Sequence, residues 1–289
     1  MRSYQELLER ADSNGSKISE IVILQEMEAT GLTREQLQAR MKQNYSVMQQ
    51  SVEQGLKGEW RSFSGMVGGD AARLIEYGTS GKSLLGQRMN NVAARAIAVA
   101  EVNAGMGKIV AAPTAGACGV LPAVLLTIEE VLSTSEEDIV MSLFTAAGIG
   151  MIIAERASVS GAEGGCQAEI GSASAMAAGA AVELAGGTPE QTAHAAAIAL
   201  KNFLGLVCDP VAGLVEVPCI KRNAIGGMIA VTAAEMVLAG IKSAIPLDEV
   251  IDAMASIGRQ MPCSLRETAQ GGLAVTPTGQ RVKEMYLRV

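Results

Sequence analysis

Two glycine-flanked segments, SVSGAEGGCQAEIGSASAM (158–176) and KNFLGLVCDPVAGLVEVPCIKRN (201–223), organise this chain. They contain three of its five cysteines and lie on either side of a helical run of small residues that carries the only histidine. Cys166 follows two glycines, Cys208 precedes Asp-Pro, and Cys219 follows a proline. Each cysteine therefore lies where regular structure is interrupted, so its thiolate can point into a cavity where loops converge.

Small residues occupy most apolar positions outside these segments. Hydrophobic residues make up 49% of the 289 residues but aromatics only 3%, and alternation with period two is nearly absent. Ala, Gly and Ser recur at helical spacing, which lets helices approach closely. We therefore expect an all-α fold, a multi-helix domain with buried Ala/Gly-rich helices around cysteine-bearing loops. Beyond the last cysteine segment, helices are expected from about Ala224 to Ala244 and from Pro246 to Ile257.

The composition changes near residue 61. Residues 1–61 are charged and rich in glutamine, and they predict three helices, with capping patterns at Ser3 and Thr33. Residues 62–289 are richer in glycine and small apolar residues. We interpret the first part as a flanking helical layer and the second as the domain that holds the cysteines, joined in one continuous structural unit.

Charge and hydropathy make several partners unexpected. The net charge is −7 and no block of basic residues occurs, so nucleic acid is not an expected partner. The amino terminus lacks an apolar run of the signal-peptide type, and the apolar windows at Ile139–Ala154 and Ile229–Ile245 are too short or interrupted for a membrane span. We expect a soluble cytoplasmic protein without membrane association, in which disulfides are the least expected use of cysteine.

The residues alone leave three uses open for Cys166, Cys208 and Cys219. They can be buried thiols that need no partner. They can bind zinc, although closely spaced cysteine pairs are missing and His194 is the only imidazole. They can be iron–sulfur ligands, which are often far apart in sequence when loops converge on a cluster. Cys118 is either a buried thiol or a further ligand, and Cys263 has no assigned role.

The motifs around the cysteines resemble the α chain of iron–sulfur-dependent L-serine dehydratase, also called L-serine deaminase, in its two-chain form. The spacing of the three cysteines agrees with that family, and the resemblance extends from residue 62 to the carboxyl end. The matching motifs are PTAGACG (113–119), SGAEGGCQAEIG (160–171), CDPVAGLVEVPCIKRN (208–223), SGMVGGD (64–70) and GGLAVTPTG (271–279).

This resemblance implies a [4Fe-4S] cluster held by Cys166, Cys208 and Cys219 in a catalytic domain of residues 62–289. One iron without a cysteine ligand acts as a Lewis acid on the substrate hydroxyl. The implied reaction converts L-serine to pyruvate and ammonia, an ammonia-lyase reaction of the hydro-lyase type that needs no redox change. No pyridoxal phosphate is expected, because neither Lys108 nor Lys201 lies in a phosphate-cup pattern.

Turns that match family motifs offer amides and hydroxyls suited to the substrate carboxylate. The expected substrate-binding residues are Thr114, Ala115, Gly116, Ser160, Gly161, Arg222 and Asn223. The last two hold either the amino acid or a cysteine. His194 is a candidate base because histidine is the usual general base in proteins, although it lies among alanines in a packed helix.

The family's single-chain members carry a second domain with an SSSHT-like motif, and this sequence contains no such motif. In the two-chain form the resemblance implies a separate β chain of a regulatory, amino-acid-binding type that supplies this part. The base then lies on either chain of a heteromer. Two alternatives are a hydro-lyase for threonine or another hydroxylated acid, and a helical binding subunit without chemistry of its own.

Overall fold

A computed structural model describes residues 2–287, and helices dominate this part of the chain. The all-α prediction is confirmed, since no β-strand occurs in residues 2–287 and a single parallel bridge joins Cys208 to Arg266. The helices are α1 Tyr4–Asn14, α2 Ile18–Thr30, α3 Arg34–Leu56, α4 Asp70–Thr79, α5 Gly86–Ala104, α6 Val120–Leu132, α7 Glu136–Arg156, α8 Gly161–Gly164, α9 Ser172–Leu184, α10 Pro189–Lys201, α11 Cys219–Leu238, α12 Leu247–Gln260 and α13 Pro277–Leu287.

Helix α9 forms the centre of the fold. It is buried along nearly its whole length and packs against α7, α10 and α11. Its sequence, SASAMAAGAAVEL, explains this position, because small side chains let neighbouring helix axes come close on every side. At Gly179 the approach is so close that a Cβ would lie 2.2 Å from the Cδ1 of Ile149. The Ala/Gly-rich helices therefore form the core, as predicted.

The three helices predicted for the first 61 residues are present, and they are part of the main core. Leu7, Ile18 and Tyr45 are fully buried and belong to the same hydrophobic cluster as α7 and α9. The capping box predicted at Thr33 forms with Gln36, and Ser3 caps α1. The proposed boundary at residue 61 remains a prediction, but helices α1–α3 share one packed interior with the cysteine-bearing part.

Two helical windows have the length and composition of membrane spans. They are Ala115–Leu132, with mean hydropathy 1.7, and Glu136–Arg156, with mean hydropathy 1.6. The second contains a stretch that we expected to be too short. Within the fold 56% of the first window and 67% of the second are buried against other helices, as in the core helices of globular proteins.

Helices α3 and α5 touch at Gly55, and this contact gives a test of the core. A Cβ at position 55 would lie 2.2 Å from the carbonyl oxygen of Ala98. We expect Gly55→Ala to push the two helices apart and to lower the free energy of unfolding by about 2 kcal/mol, measured by urea denaturation. The exposed neighbour Gln54 provides a control, since Gln54→Ala should change stability by less than about 0.5 kcal/mol. Equal stability of the two variants would contradict the close contact.

Candidate active site

Two of the three loop cysteines meet at a buried cluster that includes an unexpected carboxylate. The Sγ atoms of Cys166 and Cys208 and a carboxylate oxygen of Glu169 all lie within 4.8 Å of one another. All three side chains are buried. The sequence interpretation did not identify Glu169, and it becomes the most prominent polar group beside the cysteines.

A single π-helical turn, Gln167–Gly171, places Glu169 next to the sulfur atoms. This turn links Cys166 to the start of α9, and π-helical turns of this kind are frequent at functional sites. The side chain of Gln167 anchors it, accepting a hydrogen bond from the Gly205 N–H (2.9 Å) and donating one to the Met254 carbonyl (3.1 Å). The turn is therefore fixed on both sides by the protein.

Three of the predicted substrate-binding residues, Thr114, Gly116 and Gly161, surround the Glu169 carboxylate. The Thr114 hydroxyl donates a 2.6 Å hydrogen bond to Oε1, and the Cys208 Sγ lies 3.9 Å from Oε2. A Cβ at Gly161 would lie 2.7 Å from Oε2 and 3.2 Å from the Cys208 Sγ, so only glycine fits there. Burial raises the pKa of Glu169, and the Thr114 hydrogen bond partly offsets this rise.

Cys166 and Cys208 form a coupled pair of thiols. Hydrogen bonding between them lowers the pKa of Cys166 and raises that of Cys208, and the positive charge of Arg222 also lowers the pKa of Cys166. Both effects favour the thiolate form of Cys166 relative to an isolated thiol. A thiolate is the form of cysteine that binds a metal ion.

Cys219, the first residue of α11, is buried near this pair. Its Sγ is not among the atoms that lie within 4.8 Å of one another. Burial, with the nearby charges of Cys166 and Glu169, raises the pKa of Cys219 to about 12. The structure therefore brings all three cysteines into one region, with two of them in contact.

Arg222 holds the loop that carries Cys208. Its guanidinium donates hydrogen bonds to the Val207 carbonyl (2.8 Å) and to the Asp209 carboxylate (3.0 Å). The other oxygen of Asp209 accepts a 2.8 Å hydrogen bond from the Leu273 N–H, so the carboxyl-terminal segment is fixed to the same loop. Arg222 thus orients the residues on both sides of Cys208, which was one of its two predicted roles.

Asn223 connects the 113–119 turn to the start of α11. It is fully buried. Its Oδ1 accepts a hydrogen bond from the Gly119 N–H (2.9 Å), and its Nδ2 donates to the carbonyls of Gly116 (2.8 Å) and Cys219 (2.9 Å). Because the protein itself occupies these atoms, Asn223 orients the turn and Cys219.

Replacing Asn223 tests this connection. Asn223→Ala removes three hydrogen bonds and leaves the buried Gly119 N–H without its acceptor, so we expect the free energy of unfolding to fall by about 2–4 kcal/mol. Urea denaturation of the chain without bound iron measures the effect. Asn202→Ala is the matched control, because the amide of Asn202 makes one exposed hydrogen bond within its own chain segment. A similar loss in both variants would argue against a special role for Asn223.

The remaining predicted site residues lie at or beyond the edge of this cluster. The Ala115 carbonyl accepts a hydrogen bond from Asn103 (3.2 Å), and the Ser160 carbonyl accepts the N–H of Gly164 (2.9 Å) at the start of α8. His194 lies on α10 with its Nε2 3.4 Å from Glu190 on the same helix. Within residues 2–287 none of the recorded hydrogen bonds joins His194 to a cysteine or to Glu169, so the geometry gives no support to His194 as the base.

The other two cysteines lie in different environments. Cys118 is buried with Val52 and Val99, and burial raises its pKa to about 12. Cys263 is exposed in a short 3₁₀ turn at Cys263–Leu265. Cys118 therefore behaves as a small apolar core residue.

The donor set of the cluster fits a thiolate-bound metal group. Cys166, Cys208 and Cys219 offer three buried soft sulfur ligands, and the nearby Arg222 compensates negative charge. The absence of a side chain at Gly161 lets the Glu169 carboxylate approach the Cys208 sulfur. Such ligands suit iron–sulfur clusters or zinc. His194, the only imidazole in the sequence, lies beside Glu190 and does not add a nitrogen ligand to this donor set.

Residues 13–274 match the family model of the serine dehydratase alpha chain. The chain belongs to this family. A probable L-serine dehydratase alpha chain from Bacillus subtilis is 55% identical to this chain over 283 residues, which cover 98% of this chain and 94% of the relative. The L-serine dehydratase alpha chain of Peptoniphilus asaccharolyticus is 43% identical over 288 residues, covering 100% and 99%. The family resemblance seen in the motifs is confirmed.

Some relatives of this chain are longer. The L-serine dehydratase of Helicobacter pylori is 40% identical over 283 residues, which cover 95% of this chain but only 61% of the relative. The longer relative therefore contains further sequence outside the matched region. The name "alpha chain" carried by the relatives of similar length implies a second, beta chain.

Proposed function

We propose that this chain is the iron–sulfur subunit of an L-serine dehydratase that converts L-serine to pyruvate and ammonia. The observation that carries this proposal is the meeting of buried cysteines beside Glu169, in a chain whose relatives are named for this reaction. Cys166, Cys208 and Cys219 would hold a [4Fe-4S] cluster with one iron free of cysteine. When bound, the cluster supplies Lewis-acid assistance to loss of the substrate hydroxyl, without redox change.

The protein residues around the sulfur atoms have distinct tasks in this reaction. Gly161 lets the Glu169 carboxylate and the Cys208 sulfur lie against the α8 backbone, because a side chain there would collide with both. The Thr114 hydroxyl fixes the orientation of the Glu169 carboxylate through its 2.6 Å hydrogen bond. Glu169 is the candidate base on this chain, since a buried carboxylate with a raised pKa is suited to accept the substrate α-proton.

Glu169→Gln tests this assignment with two opposite effects. The variant cannot accept a proton, so we expect kcat of the loaded enzyme to fall by about a hundredfold or more. The pKa of Glu169 is higher in the folded than in the unfolded chain, so unfolding free energy falls as pH rises through these two values. Glutamine removes this dependence, and the cluster-free variant should be more stable than the original chain at about pH 8.

Urea denaturation at about pH 5 and about pH 8 measures the stability effect, and pyruvate formation measures the activity. Glu163→Gln is the control, because this exposed carboxylate lies on α8, three residues before Cys166. Unchanged kcat in Glu169→Gln would show that the base lies elsewhere, including on the partner chain.

The proposed enzyme is a cytoplasmic heteromer with a β chain of a regulatory, amino-acid-binding type. The longer relatives support the need for a second chain, since they contain sequence beyond the region that matches this chain. The β chain would complete the site. Neither nucleic acid nor a membrane is required for this activity.

Anaerobic reconstitution with iron and sulfide, with and without the β chain, tests the proposal. Serine is titrated while the cluster is observed by electron paramagnetic or Mössbauer spectroscopy and pyruvate is assayed. We expect serine to perturb one iron of the cluster, and pyruvate to form when β is present. If the loaded complex ignores serine but acts on threonine or a hydroxy acid, the substrate assignment changes to that compound. A chain that takes up no iron would reduce the three cysteines to core residues.

A further inference from the structure

We propose that a cavity next to the Cys166 turn, separate from the cysteine cluster, binds a small monocarboxylate. The cavity has a volume of about 370 Å³ and lies between α8, α12 and the segment that carries Arg266. Cys166, Cys208 and Glu169 are not among its lining residues. Its size is within the range of small-molecule pockets.

Two arginines give this cavity a positive wall. Arg259 and Arg266 both line it, and neither takes part in an ion pair among residues 2–287. The Nε of Arg266 is buried without a hydrogen-bond acceptor, and its Nη1 approaches only the Glu163 carbonyl, at 3.5 Å. A guanidinium group without an acidic partner suits the two oxygens of a carboxylate.

The rest of the lining limits the ligand to a short carbon chain. Apart from Ser158, Gln167 and one carboxylate, Glu163, the remaining walls are small or apolar, formed by Ala157, Ala162, Gly164, Ala168, Met254, Ala255 and Gly258. Two cations and one anion leave a net positive site, which a single carboxylate neutralises. Both 2-oxo acids and small α-amino acids carry this group. In the second case Glu163 is available for the ligand ammonium.

A ligand in this cavity would contact two cysteine-bearing segments at once. Gly164 and Gln167 flank Cys166, and both line the cavity. Arg266 is paired with Cys208, because the Cys208 N–H donates to the Leu265 carbonyl and the Glu267 N–H donates to the Cys208 carbonyl, each at 2.8 Å. A bound carboxylate would therefore hold the Cys166 and Cys208 segments together. The expected consequence, which rests on the proposed function, is slower loss of the cluster to a chelator.

Calorimetric titration of the cluster-free full chain with sodium pyruvate and with L-alanine tests the binding site. We expect saturable binding of at least one probe with one site per chain. Arg259→Gln and Arg266→Gln should each weaken it by about tenfold or more, because each removes a charged hydrogen-bond donor. Arg40→Gln changes an exposed arginine on α3 and should leave the affinity within about twofold. Glu163→Gln separates the ligands, since it should weaken alanine and spare pyruvate.

Three results would overturn the proposal: no saturable binding of either probe, affinity that is unchanged in both arginine variants, or binding that requires the loaded cluster. The last would assign the ligand to the cysteine site itself. Arg259 is exposed, so Arg259→Gln should fold and tests the binding site even where Arg266→Gln fails to fold. Pyruvate formation from serine by the loaded complex is measured separately, so failure of this site and failure of the proposed dehydratase are distinguishable.

Discussion

Alanine in place of Cys166, Cys208 or Cys219 is expected to abolish iron retention and to lower serine dehydration by more than about a hundredfold. Each cysteine is one of the three proposed ligands. Loss of a residue that only supports a ligand already costs about ten- to a hundredfold, so loss of a ligand costs more. Iron and sulfide per chain after anaerobic reconstitution measure cluster content, and pyruvate formation with the β chain measures activity.

The remaining cysteines provide matched controls for this result. Cys263 is exposed on its turn, and Cys118 packs with Val52 and Val99. Cys263→Ala and Cys118→Ala should both retain iron and activity, although the second leaves a small core cavity that lowers stability by about 1 kcal/mol. Full iron and sulfide in the triple variant of Cys166, Cys208 and Cys219 would refute the proposed ligand set.

Arg222→Ala is expected to destabilise the cluster-free chain by about 3–5 kcal/mol. The buried Asp209 carboxylate would keep its bond from Leu273 but lose its cationic partner at 3.0 Å, and the Val207 carbonyl would lose a donor as well. An unpaired buried charge is among the most destabilising changes in a protein. Urea denaturation measures the loss, and reduced iron retention should accompany it because the Cys208 loop loses its anchor.

A double-mutant cycle with Asp209→Asn separates the ion pair from the other contacts of Arg222. The cost of removing Arg222 should shrink when Asp209 is already neutral, since the two side chains interact directly. Lys221→Ala is the neighbouring control, because the ion pair of Lys221 with Asp70 is half exposed and contributes less than about 1 kcal/mol. An identical cost of Arg222→Ala in both backgrounds would show that the pair does not stabilise the loop.

The fold was predictable because its causes are local. Small residues at helical spacing predict closely packed helices, and the cap at Thr33 predicts the start of α3, which the structure places at Arg34. The start of α11 was wrong: we expected about Ala224, and the helix begins at Cys219. The polar residues after Cys219 read as a loop, whereas Arg222 and Asn223 are helical residues that turn inward to bind neighbouring segments.

The site was predictable only in part, because its geometry is made by distant residues. The glycine and proline neighbours of the cysteines indicated convergence, and the structure does bring Cys166 and Cys208 together. Glu169 was missed because its significance depends on Thr114 and Cys208, which lie 55 and 39 residues away in sequence. A carboxylate three residues after a candidate ligand, within a run of small residues, was the one local signal.

The pairing of Cys208 with Arg266, and of Asp209 with Leu273, also fixes when the site can form during biosynthesis. The ribosome makes these partners after all three cysteines, so a nascent chain that has just exposed Cys219 still lacks the segment that fixes Cys208. Synthesis proceeds from the amino end, and the tunnel hides the newest residues. Iron delivery is therefore expected to follow exposure of residues 266–273.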